Sequence, residues 1–300
     1  MNRLKLGKTY RLLARLALGA CLVLPHGIGA QAAGQDVQPP GYYSGDPLPA
    51  HTVYLTFDDG PGEYTAALLD ILRQKQVRAT FFINSFDRLV PREKIGSANY
   101  LLHYRTVLQR MLSDGHVIGN HSFSHRDFAV LDASQIAFEL DTLQTHLNEA
   151  LGPNSPQLRL IRPPWGSPWF GTWGSRAQKI KVAKVVEPRG IVMNWTNAWN
   201  SGDSNEWVAG EWWRSADRRY RPAGTAWLAK EERMLKHILA SADGKASGIL
   251  LLHDIHPTSR DLLPRLIDAL RERGYSFATL DEYCSWRWGP DWGVKFMHRP

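Results

Sequence analysis

The chain has 300 residues, 43% hydrophobic and 22% charged, enough to bury one large core or two small ones, which excludes a mini-protein, a disordered tail and a coiled coil. Its formal charge of +7 is front-loaded: Arg3, Lys5, Lys8, Arg11 and Arg15 precede any acidic residue, and without them 31 basic residues face 29 acidic ones. The remainder has too little basic excess for a nucleic-acid partner to be expected, and two cysteines, Cys21 and Cys284, exclude a disulfide framework and a thiolate metal cluster.

The basic head leads into an apolar stretch from Leu16 to Leu24, broken by Pro25, and then into Ala30-Gln31-Ala32. A positive head, a short apolar middle and an A-x-A site predict a secretory signal peptide over residues 1–32. The middle is too short for a retained transmembrane helix, so the mature chain is expected to be exported, periplasmic or secreted, with no membrane span after cleavage. Leu18-Gly19-Ala20-Cys21 resembles a lipoprotein box, but the short apolar lead-in after Arg15 ranks simple cleavage above a lipid anchor. Residues 33–50, rich in Gly, Pro and Gln, read as a flexible leader.

Val53 to Phe57 reads as a strand that stops at the turn Asp58-Asp59-Gly60-Pro61. Tyr64, Leu68, Ile71 and Leu72 follow at helical spacing, and Val77 to Ile83 is a second, β-branched and aromatic strand. A helix is expected around Tyr100 to Leu112, then a short apolar run at His116 to Ile118, then a helix whose apolar face is Ile136, Leu140, Leu143, Leu147 and Leu151. Leu158–Ile161, Ile191–Met193, Ile249–Leu252 and Tyr275–Ala278 are further strand candidates, and a helix from Thr258 to Arg273 ends at Gly274. This alternation predicts parallel strands covered by helices, as an open α/β sheet or a barrel.

Sites in such proteins gather at the carboxyl ends of the strands, and four ends carry unusual clusters. They are Asp58-Asp59 in T-F-D-D-G-P, His121 and His125 in H-S-F-S-H, Arg162 in R-P-P-W-G, and His253 closing the apolar run of L-L-H-D. The two histidines, four apart, would share a face in a helical turn. Each cluster also has a plain structural use: paired aspartates form turns and caps, Arg-Pro-Pro is a turn, and a histidine at a strand end often serves as a hydrogen-bonded core residue. Their recurrence at strand ends of one framework favours chemistry, and one carboxylate with two imidazoles is a three-donor set that suits zinc and leaves a position open for water.

In order and spacing, Thr56–Pro61, His121–His125, Arg162–Gly166 and Leu251–Asp254 resemble the motifs of the polysaccharide deacetylases, the NodB-homology domains of the fourth carbohydrate esterase family. The resemblance spans Val53 to Tyr283 and implies a distorted (β/α) barrel over residues 51–284, followed by a tail at 285–300. It implies a divalent metal, usually Zn2+, and removal of acetyl groups from an acetylated polysaccharide or oligosaccharide. The expected substrate is N-acetylglucosamine in a chitin- or peptidoglycan-type glycan; acetylxylan ester cleavage is the alternative, and an inactive carbohydrate-binding relative the other class.

Carried over by position, the resemblance assigns Asp59, His121 and His125 to the metal and Asp58 to the general base, with Arg162 paired to it. It makes the Trp165 backbone N–H an oxyanion donor, His253 the general acid and Leu251 a wall of the acetyl pocket. The family has an Asp-Trp pair whose Asp orients the acid histidine. Here the segment reads Trp195-Thr196-Asn197-Ala198-Trp199-Asn200-Ser201-Gly202-Asp203, and Asp203 is the best match. Trp165 and Trp195 are expected to contact substrate. His116 and His256 are expected to be structural, Cys284 a buried small residue, and Glu206–Leu228 a loop peculiar to this chain.

Overall fold

Seven successive residues, Thr52–Asp58, form β1, and every one is buried, as a strand covered on both faces requires. They open a computed structural model that describes residues 48–87, 96–169, 174–203, 224–244 and 246–295. The expected signal peptide and nearly all of the leader lie outside the described residues. So does most of the expected Glu206–Leu228 loop, although its last residues are helical in α5, Gly224–Asp243.

The other strands are β2 (Thr80–Ile83), β3 (Val117–Asn120), β4 (Leu160–Ile161), β5 (Ile191–Val192), β6 (Gly248–His253) and β7 (Ser276–Phe277). All pairings are parallel, in the order β5-β4-β3-β2-β1-β6. β7 joins the first residues of β1, on the edge whose far half pairs with β2. The sheet curls: the segment after β5 returns to β6, where Thr196 N donates to Ile249 O (3.1 Å), Ser201 N donates to Leu251 O (3.1 Å) and Asn200 bridges Leu251. The result is the curled parallel half-barrel of an α/β fold.

Strand alternation divides the core in two. Val53, Leu55 and Phe57, Phe81 and Ile83, and Leu250 and Leu252 pack outward under α1 (Thr65–Gln74), α2 (Arg105–Ser113) and α6 (Pro257–Glu272). Tyr54, Phe82, Leu160, Ile191, Met193, Ile249 and Leu251 form the inner row. With a period of two, that inner row continues at the strand ends into Asp58, His121, Arg162 and His253. Alternation alone therefore aims four of the expected site residues into one bowl.

α3 (Ala133–Leu151) and α4 (Arg176–Val186) cover β4 and β5, and each starts at a capping box, Asp132 with Gln135 and Ser175 with Gln178. The boundary expected at residue 284 falls inside α7 (Leu280–Trp288), and α8 (Trp292–Lys295) follows. Tyr283, Cys284 and Trp292 pack into the inner row from the end where the strands begin, so this segment is part of the core and not a tail.

Candidate active site

β1 ends on the adjacent carboxylates. Asp58 stays in strand register, while Asp59 turns to φ 78° and its N–H donates to Phe82 O (3.0 Å). The turn needs Gly60: a Cβ there would lie 1.9 Å from Asp254 Oδ2. Asp254, fully buried, also accepts from Thr65 Oγ1 (2.7 Å), which ties the end of β6 to the start of α1 beneath this turn.

The segment His121–His125 is not a helical turn. Ser122 and His125 both have positive φ (72° and 57°), and side chains set the shape of the loop. Asn120 Oδ1 accepts Ser122 N (2.9 Å), Ser122 Oγ accepts His125 N (3.0 Å), and Asn84 Nδ2 donates to His121 O and Ser122 O. Polar bonds and not helical periodicity thus bring the rings together, with centroids 5.1 Å apart.

Asp59 Oδ1 lies 3.5 Å from His121 Nε2 and 3.3 Å from His125 Nε2, and one donor atom from each residue lies within 4.8 Å of the others. His121 Nδ1 is 2.6 Å from Arg162 O. A carbonyl only accepts, so Nδ1 carries the proton and the Nε2 lone pair is directed at Asp59. Burial also pulls the His121 pKa down, favouring the neutral, ligating form. Two imidazole nitrogens and a carboxylate oxygen converging in this way fit a divalent cation.

Arg162 is completely buried. Its Nη1 donates to Asp58 Oδ1 (2.7 Å) and Thr56 Oγ1 (2.8 Å), its Nε donates to Met193 O (2.9 Å), and the guanidinium lies 4.0 Å from the Phe82 ring centroid. Burial lowers the guanidinium pKa and the Asp58 charge opposes it. Asp58 Oδ2 is 3.7 Å from His121 Nε2, so the carboxylate spans from its cation to the donor cluster. Trp165 follows in a tight turn with φ 56°, its ring 4.5 Å from that of His125 and 40% exposed at the rim.

His253 ends β6. Its Nδ1 is 2.8 Å from Asp203 Oδ1, while Asp203 Oδ2 accepts His253 N (2.7 Å) and Ser259 Oγ (2.6 Å). Burial by itself lowers the imidazole pKa, but the charge and hydrogen bond of Asp203 overcome it and push the value up to about 9. In return, despite burial, His253 holds the Asp203 carboxyl far below the usual carboxylate range. His256, its ring 5.5 Å from that of His253, is pushed by burial down to about 3 and is neutral.

The structure thus gathers Asp58, Asp59, His121, His125, Arg162, Trp165, His253 and Asp203 at one end of the half-barrel. Trp195 and Leu251 lie in the inner apolar row and are largely buried. Trp195 can wall a pocket, but its burial leaves no open face for a sugar ring to stack on. Among the residues that motif reading did not select, Asn84, Asn120, Ser259 and Glu139 shape the site. Glu139 had one sequence signal: a carboxylate placed within the apolar face between Ile136 and Leu140.

A parallel α/β half-barrel with a three-donor cation site beside an Arg-paired aspartate and an Asp-paired histidine defines a class of site-bearing barrel. The family model "Polysaccharide deacetylase" matches residues 45–183. A peptidoglycan-N-acetylglucosamine deacetylase of Bacillus cereus is 32% identical over 229 residues, covering 76% of this chain and 69% of that protein. A crystal structure of a polysaccharide deacetylase from Bacillus cereus is 30% identical with a TM-score of 0.55, over 76% of this chain and 91% of that one. The chitin deacetylase of Colletotrichum lindemuthianum is 26% identical with a TM-score of 0.57, over 78% and 87%. The chain belongs to the polysaccharide deacetylase family.

Proposed function

We propose that this protein is an exported, zinc-dependent hydrolase that removes acetyl groups from N-acetylglucosamine residues of a chitin- or peptidoglycan-type glycan. The observation that carries the reading is the grouping of the Asp59–His121–His125 donor set, the Asp58–Arg162 pair and the His253–Asp203 pair in a single bowl. The names of the relatives, a peptidoglycan and a chitin deacetylase, support the glycan class. Export rests on the signal-like residues 1–32; among the described residues no helix is long and apolar enough to cross a membrane.

A divalent cation held by Asp59, His121 and His125 would supply Lewis-acid polarisation and lower the pKa of water. The rest is the work of the side chains. Asp58, held by the Arg162 guanidinium at 2.7 Å, takes a proton from the attacking water as its oxygen adds to the acetyl carbon. The N–H of Trp165, turned by the positive-φ geometry of its loop, faces the oxygen on which negative charge collects; one such donor lowers the barrier by about 3 kcal/mol. His253, protonated at neutral pH, delivers its Nε2 proton to the sugar nitrogen as the C–N bond breaks, leaving acetate and a free amine. Leu251 and Trp195 supply an apolar wall for the methyl group.

Acetate release from N-acetylated chitooligosaccharides, peptidoglycan fragments and acetylxylan, each with and without chelator, tests this reading. Metal-dependent release from the N-acetyl substrates is expected. Release from acetylxylan alone would make the protein an esterase, and no release with any divalent metal would make it a binding protein.

A further inference from the structure

Glu139 sits within the apolar face of α3 with 1% of its surface exposed, where a carboxyl group must exchange its water for hydrogen-bond partners in the protein. Both carboxylate oxygens turn to one residue: Oε2 accepts Ser124 N (2.7 Å) and Oε1 accepts Ser124 Oγ (2.5 Å), while the Glu139 carbonyl accepts Phe123 N (2.9 Å). One residue further along α3, Leu140 O accepts Asn120 Nδ2 (3.0 Å), and Asn120 Oδ1 in turn holds Ser122. No Lys or Arg among the described residues forms an ion pair with Glu139. Ser124 immediately precedes His125, whose φ of 57° is left-handed, a conformation that persists only where its surroundings over-determine it.

We infer that Glu139 is a positioning residue for the cation site: its carboxylate fixes Ser124, and through it the backbone of His125, so that Nε2 stands 3.3 Å from Asp59 Oδ1. This rests on the metal-site reading above. It is bonds and not charge that matter, because a glutamine can replace them: its oxygen accepts Ser124 N and its amide donates to Ser124 Oγ. A leucine cannot.

The test is zinc affinity of the full chain, stripped with chelator and titrated against a chromophoric competitor, with the visible spectrum of the cobalt-loaded protein as a second readout. Wild type and Glu139→Gln should agree within roughly threefold, whereas Glu139→Leu should bind about 10- to 100-fold more weakly with an altered cobalt spectrum. Glu139→Leu equal to wild type, or Glu139→Gln as weak as Glu139→Leu, overturns the inference alone. Wild type that takes up no divalent cation overturns the site reading and the inference with it. Should Glu139→Leu fail to fold, Ser124→Ala decides: at least roughly threefold weaker binding is expected, and unchanged affinity overturns the inference.

Discussion

Oδ1 of Asp203 lies 2.8 Å from Nδ1 of His253, and Oδ2 of the same carboxylate accepts the backbone N–H of His253 at 2.7 Å. One aspartate therefore grips the histidine by ring and by backbone, which fixes the tautomer and leaves Nε2 as the proton donor.

The pH dependence of the proposed reaction follows from that grip. A general acid works only while protonated, so activity is lost as pH rises through the His253 pKa, pushed up to about 9. A cation beside Asp58 and Asp59 opposes their share of the shift and brings the limb somewhat below that value. Asp203→Asn removes the charge that overcomes burial, so the alkaline limb should move down by about two units, to near neutral pH, and the rate at neutral pH should fall roughly two- to fourfold with the protonated fraction. A pH–rate profile of acetate release checks this; an unmoved limb removes His253 as the acid.

Asp58 and His125 should separate catalysis from metal binding. Asp58 bonds to Arg162 and lies outside the three-donor set, so Asp58→Asn should keep its metal and lose turnover. His125 is one of the donors, so His125→Ala should lose both. Elemental analysis with a turnover assay distinguishes them, and equal metal content in the two variants would contradict this division of roles.

Arg162 and Asp58 are both buried, at 0% and 3% side-chain exposure, so each depends on the other. Arg162→Met leaves a buried carboxylate without its cation and should cost about 3–5 kcal/mol, while Asp58→Asn/Arg162→Met together should recover part of that loss. Lysine is no substitute, because Arg162 also uses Nε on Met193 O. Urea midpoints of the four proteins, stripped of metal, give the coupling energy; strict additivity would mean the pair does not interact.

Much of this was legible in the sequence, and for an identifiable reason. In β1 and β6 the mostly apolar runs Val53-Tyr54-Leu55-Thr56-Phe57 and Ile249-Leu250-Leu251-Leu252 lead straight to Asp58 and His253, so the strands and the polar residues that end them could be read together. The histidine loop could not be read that way: its shape comes from Asn120, Ser122 and Glu139 bonds made across the chain, and helical spacing of His121 and His125 was the wrong cue. β4 and β5 are only two residues long, so the apolar runs around them overstate the paired region. α4 escaped notice because its buried face, Val182, Ala183, Val185 and Val186, is mostly β-branched and reads as strand.

A second pH dependence belongs to the fold and not to the reaction. His116 Nδ1 accepts the N–H of Ala79 at 3.0 Å, so protonating that nitrogen breaks a bond in the interior, and burial pushes the imidazole pKa down to about 4. The unfolded chain, with an ordinary histidine near 6.5, binds the proton first. Stability is therefore fully present above that value and is lost as pH falls from about 6.5 to about 4, by about 3 kcal/mol from this group. His256, depressed to about 3, adds in the same direction. Asparagine at 116 can place Oδ1 where Nδ1 accepts and does not titrate, so His116→Asn should flatten the slope of unfolding free energy against pH over this window without abolishing it. Urea unfolding in chelator at a series of pH values reads the slope; identical slopes in the two proteins would mean that His116 does not stay neutral in the fold.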